Sequence, residues 1–136
     1  MPLDQNNRRL VDYGLRLIRQ GRGQPGISAI IEAANKKPSE IRSSDLGFIV
    51  GPRLNAAGRL ADMSLGVECL LNDEPARCKE IAIQLSDLNI QRRKIEDKMR
   101  EKAFSLISTP LVDDASLAPA LCLFHEDWHQ GVVGIV

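Results

Sequence analysis

The sequence has few cysteines, no excess of either charge and no long apolar run, and each scarcity removes a class of protein. Cys69, Cys78 and Cys122 are scattered, odd in number and without the short spacing of a zinc site. Cys69 and Cys122 stand among apolar residues and read as buried thiols, a usage suited to a reducing compartment. With 18 basic against 18 acidic residues, the chain has no global electrostatic drive towards DNA, so any nucleic-acid contact must be local. Apolar runs such as Ala120 to Phe124 are far too short to cross a bilayer. The first residues lack the basic segment and apolar stretch of a secretory signal, so the expectation is a cytoplasmic protein without a membrane partner. A Gly-rich phosphate loop followed by Lys and a nucleophile elbow are both missing.

What is present is mostly helical pattern. A chain of 136 residues, 43% of them hydrophobic, allows one ordinary domain, or a small one with a linking element. After a turn at Pro2-Leu3-Asp4, Leu10, Tyr13, Leu17 and Ile18 recur at helical spacing up to a stop at Gly21. Pro25 opens a second stripe of Ile27, Ile30, Ile31 and Ala34 that runs out near Asn35. Ser39 or Ser44 is expected to cap a short segment through Ile41, Leu46, Phe48 and Ile49, and Ser64 to cap a helix through Leu71. Between them, Gly51 to Asp62 is rich in Gly and Ala and carries Pro52, which reads as a structured loop or loop-helix junction. From Pro75 onwards Ile81, Leu85, Leu88, Ile95, Met99 and Leu106 keep helical spacing. A helix of about 30 residues extends roughly 45 Å, more than a small domain needs, and suits an interdomain bridge. Residues 108 to 119 are turn formers and acids, the best candidate for a domain boundary. Ala120 to Phe124 then reads as a buried strand and Val132 to Val136 as the opening of an apolar helix, so the chain is expected to end inside a second domain.

Two places carry candidate chemistry. In Pro52-Arg53-Leu54-Asn55-Ala56-Ala57-Gly58-Arg59, two guanidinium groups bracket small residues, where a backbone can approach a ligand and paired donors can face phosphate oxygens. The alternative is that Arg53 and Arg59 are solvated cations or partners of Asp45 and Asp62. In His129-Gln130-Gly131, free backbone donors of a helix starting near Val132 would form an anion-binding corner with the imidazole, Gly131 removing bulk; a hydrogen-bonded structural histidine is the alternative. Trp128 suits base stacking or packing, and Arg92-Arg93-Lys94 a solvated helix face, because carboxylates interleave with it. His125, Glu126, Asp127 and His129 are close in sequence, but part of the run is a tight turn, and no metal site is expected there.

Three blocks in register, Pro2-Leu3-Asp4-Gln5-Asn6-Asn7-Arg8, Gly51 to Arg59, and His125 to Ile135, resemble the RecJ family of single-stranded-DNA exonucleases, in the DHH phosphoesterase superfamily. The resemblance covers essentially the whole chain. It implies a mainly α-helical fragment of an α/β DHH phosphoesterase. Residues 1–74 would be the helical end of the catalytic domain, 75–107 the connecting helix, and 108–136 the linker and truncated start of a second, DHHA1-like α/β domain. It implies a 5′ to 3′ exonuclease of recombination and repair, using Mn2+ or Mg2+ in the full-length enzyme. The metal-ligating residues would fall before Met1, so the fragment holds no metal or catalytic residue and is expected to be inactive alone. By the same resemblance Arg53, Arg59 and His129 approach the phosphates of single-stranded DNA, with Asn55, Gly58 and Gly131 as supporting loop residues. The implied partners are that strand and the missing regions of the same chain. Two other readings stay open: a related phosphoesterase of short oligonucleotides or cyclic dinucleotides, and a helical adaptor without enzymatic activity.

Overall fold

The computed structural model describes residues 4–107 and 122–136. The expected turn at Pro2 and Leu3, the boundary at 108–119 and the first two residues of the expected strand lie outside them. The chain forms two compact units, Met1–Ile90 and Gln91–Val136.

In the first unit, α1 (Gln5–Arg19) starts where the Asp4 carboxylate accepts the Asn7 amide, at 2.8 Å. It ends on Gly21 at φ 68°, with Gly21 N–H donating to Ile18 and Arg22 N–H to Leu17. This left-handed stop satisfies carbonyls the helix would otherwise leave open. Helix α2 (Pro25–Ala33) closes the same way on Asn35 at φ 57°, whose amide donates to Glu32 while Lys36 N–H donates to Ile31. The buried face of α1 is Leu15 and Ile18, flanked by Val11. Leu10 and Tyr13, expected in the stripe, are exposed, and Tyr13 lies beneath the Arg16 guanidinium.

A 3-10 turn (Pro38–Glu40) leads to α3 (Ser43–Asp45), a π-helical turn (Leu46–Val50) and α4 (Gly51–Leu60). Neither Ser39 nor Ser44 caps this run. Asp45 does, accepting the Arg42 amide at 2.7 Å through one oxygen while the other meets Lys36 Nζ at 2.6 Å. The stretch expected to be a structured loop or loop-helix junction is thus helical from Gly51 to Leu60. Pro52 has no N–H to give and would crowd the carbonyl four residues back in a regular helix. The preceding turn is instead widened, with Gly51 N–H donating to Leu46, and Pro52 sits at the start of α4 where its missing donor costs little. Ala56 and Ala57 turn inward and let α4 pack on α5 (Ser64–Leu71). Ser64 does not cap α5, which has no side-chain cap; its amide donates to the Asp62 carboxylate at 2.9 Å as the chain enters the helix.

The core of this unit is built from Ile30 and Ile31 of α2, Ile41, Cys69 of α5, and Cys78, Ile81, Ala82 and Leu85 of α6 (Pro75–Ile107), all fully buried. Each large aliphatic among them contributes about 1.5–3 kcal/mol relative to exposure. Gln24 ties two helix ends together: its carbonyl oxygen accepts the Ile27 amide at 3.1 Å, and its amide nitrogen donates to the Asn72 carbonyl at 2.9 Å. Arg19 donates twice to the Ile41 carbonyl, at 2.9 and 2.8 Å, holding the end of α1 against the approach to α3.

The second unit contains the later part of α6, where Met99 is buried and Ile95 half-buried, and a compact turn region ending in a 3-10 helix (Val133–Ile135). Cys122 to Phe124 form no strand, since pairing needs a neighbouring ladder and the described residues supply none. Cys122 is exposed rather than buried, and Phe124 is exposed beside it. Val132 is fully buried, but the helix expected to open there is a single 3-10 turn.

Candidate functional site

Two sites follow from this architecture, one in each unit. In the first, α4 presents Asn55 and Gly58 on its exposed face, with Arg53 and Arg59 half-buried on either side of them. The residues expected to shape a loop therefore project from a helix. Arg53 is fixed: its Nε donates to Ser86 Oγ of α6 at 3.0 Å and its Nη1 to the Ile49 carbonyl of the π-helical turn at 3.0 Å. Ser86 is buried, so the bond also satisfies a hydroxyl that would otherwise be stranded. Asp45 is engaged with Lys36, and Asp62 with Ser64. The Lys36 ammonium, followed by the Arg42 amide, holds the Asp45 carboxyl below the ordinary aspartate value, and the bonds from Ser64 do the same for Asp62.

The second site surrounds His129. Its carbonyl accepts both Val132 N–H at 2.9 Å and Val133 N–H at 3.0 Å, and its Nδ1 accepts Gly131 N–H at 3.1 Å. The backbone donors expected to face an anion are thus consumed by His129 itself, because the chain makes tight turns here instead of opening a long helix. What this arrangement leaves for a ligand is the other ring nitrogen. With Nδ1 accepting, the neutral imidazole carries its proton on Nε2. His129 lines a cavity of about 410 Å³ together with Trp128, His125 and Asp127, and with Ile95, Lys98, Met99 and Lys102 of α6.

Lys98 and Lys102 were not legible as site residues in the sequence. The signal was their spacing of one helical turn on the same side as Ile95 and Met99, hidden among interleaved acids. Elsewhere on this part of α6 those acids do pair with the cations, as in Arg92 with Glu96 at 2.7 Å and Arg100 with Asp97. Within the basic run, Arg92 is paired along its own helix. Among the described residues no three His, Cys, Asp or Glu side chains converge as a metal would require, and no helix is long and apolar enough to cross a membrane.

Comparison with known proteins extends this picture. No family model matches the chain. Over all 136 residues it is 46% identical to the single-stranded-DNA-specific exonuclease RecJ of Salmonella typhimurium and 46% identical to that of Escherichia coli K12. It spans about a quarter of the length of these curated relatives, 24% of each. Among solved structures, RecJ from Thermus thermophilus in complex with Mg2+ superimposes with a TM-score of 0.80 at 28% identity, covering 99% of this chain and 20% of that one. An exonuclease RecJ bound to manganese gives 0.78 at 29% identity, covering 95% and 31%. The helical arrangement described above is therefore that of one portion of RecJ.

Proposed function

We propose that this chain, similar along its whole length to RecJ, is a substrate-positioning segment of a longer exonuclease that degrades single-stranded DNA from the 5′ end. The observation that carries the reading is the 46% identity over all 136 residues. The parent protein would act in recombination and repair in the cytoplasm, its catalytic domain of the DHH type and its second domain α/β.

Within this segment, Arg53 and Arg59 would meet phosphates from α4, and His129 would donate through Nε2–H. Arg53 is held by Ser86 and Ile49, so its guanidinium plane is set before substrate arrives, which reduces the entropy lost on binding. Bound Mn2+ or Mg2+ in the full-length enzyme would activate water and neutralise charge on the scissile phosphate. The described residues offer no converging ligands for such an ion, so the reading assigns the metal to other parts of the longer protein and only positioning to this chain.

The test uses single-stranded DNA labelled separately at the 5′ and 3′ ends, with Mn2+. The full-length protein should release the 5′ label first as mononucleotide, and the 136-residue chain alone should release nothing. Cleavage confined to cyclic dinucleotides or very short oligonucleotides would replace the long-strand reading, and contamination-free cleavage by the isolated chain would overturn the positioning role.

A further inference from the structure

The cavity in the second unit has features that the positioning role of His129 does not use. Lys98 and Lys102 stand one turn apart on α6, both exposed, and neither forms an ion pair among the described residues. Two like charges at this spacing repel unless an anion lies between them. Trp128 forms another part of the wall, and its Nε1–H is a buried donor with no hydrogen-bond partner among the described residues. A stranded buried donor costs free energy. Asp127 also lines the space, but it is largely exposed and its carboxylate lies 3.5 Å from His125 Nδ1. The volume of about 410 Å³ lies within the range of sites that enclose a small organic ligand.

From these residues we infer that the cavity is a subsite for a single nucleotide of a DNA strand, with the phosphate between Lys98 and Lys102 and the base against the Trp128 indole. His129 Nε2–H supplies a directional donor to the phosphate, while Ile95 and Met99 form an apolar floor beneath the sugar and base. An aromatic face and a pair of cations bind any base, which suits an enzyme that moves along a strand regardless of sequence. The inference rests on the exonuclease reading and adds five residues to it: Trp128, Lys98, Lys102, Ile95 and Met99.

Trp128 is the only tryptophan in the chain, so its fluorescence reports on this cavity. In a titration at low salt, oligothymidylate and dTMP should each quench it saturably, and inorganic phosphate should not. Replacing both lysines with Gln should weaken oligothymidylate binding on the order of tenfold and flatten its salt dependence. The Lys98→Arg, Lys102→Arg double variant should bind normally. Both positions are exposed on a helix, and circular dichroism with thermal melting checks that the variants remain folded. Equal affinity of the Gln variant and the parent would overturn the subsite, as would a wild-type chain that shows no quenching. A response to inorganic phosphate equal to that to dTMP would leave a bare anion site and overturn the nucleotide assignment. Cleavage by the full-length protein tests the exonuclease reading separately: cleavage without quenching sinks only the subsite, and quenching without cleavage sinks only the exonuclease.

Discussion

Gly26 and Cys69 approach so closely that a Cβ on residue 26 would stand 2.7 Å from the Cys69 carbonyl carbon and deep inside the carbonyl oxygen. The obstacle is backbone on both sides, so no rotamer change relieves it. Gly26→Ala should therefore destabilise the first unit by about 3 kcal/mol, at the upper end of overpacking costs, because α2 and α5 must separate. Chemical denaturation would measure this. A variant as stable as the parent would show that the two helices do not pack as described.

The cysteines should differ sharply in reactivity. Burial, reinforced by Cys78 and Glu68, pushes the Cys69 thiol up to about 11, and burial raises Cys78 as well, whereas Cys122 is exposed. In native conditions near neutral pH a thiol reagent should titrate Cys122 rapidly and the other two only at the rate of unfolding. Because the buried thiol's value lies above its unfolded one, the folded state holds its proton longer. Stability is thus intact at neutral pH and falls as pH rises from about 8.5 towards about 11. Alkaline melting of Cys69→Ala against the parent checks that window.

Acid should act through Asp45. Its folded value is depressed by Lys36 and the Arg42 amide, so its contribution is present above the ordinary aspartate value and disappears as pH falls through the depressed one. Asp45→Asn should make stability less dependent on pH below about 4, measured as the slope of melting temperature against pH. An unchanged slope would remove Asp45 from the account of acid unfolding.

Arg53 has a structural role that is separable from any contact with DNA. Its bond to Ser86 links α4 to α6, and replacing Arg53 with Ala should cost about 2 kcal/mol, with Ser86→Ala coupled to it by about 1 kcal/mol in a double-mutant cycle. Additive effects would mean the bond contributes nothing to stability. This measurement is needed before any loss of nuclease activity in Arg53 variants is assigned to substrate.

Much of the helical framework was legible because its signals are local. Gly21 and Asn35 end their helices by adopting left-handed backbone, and the spacing of Ile81, Leu85, Leu88, Ile95 and Met99 traces the long helix without reference to anything else. The misreadings came where tertiary context decides. Leu10 and Tyr13 share helical spacing with Ile18, but Leu15 faces the core and they do not. Pro52 and the neighbouring glycine suggested a loop because a widened turn that accommodates proline leaves no mark in composition. At the candidate site, His129 could be picked out by its neighbours, but not the capture of three backbone donors by its own carbonyl and ring. Lys98 and Lys102 joined it only once the turn region and the helix were seen to share a cavity.

The π-helical turn at Leu46–Val50 also sets the phase of everything that follows it in the helical run. A helix advances about 100° per residue, so deleting one residue within this turn would rotate α4 by that amount relative to α3. Ala56 and Ala57 would leave the core and Arg53 would turn away from Ser86, although every residue from Gly51 onwards was unchanged. The identity of the Gly51 to Arg59 block is therefore not sufficient for its action: a relative can keep every letter of it and lose their orientation through one missing residue upstream.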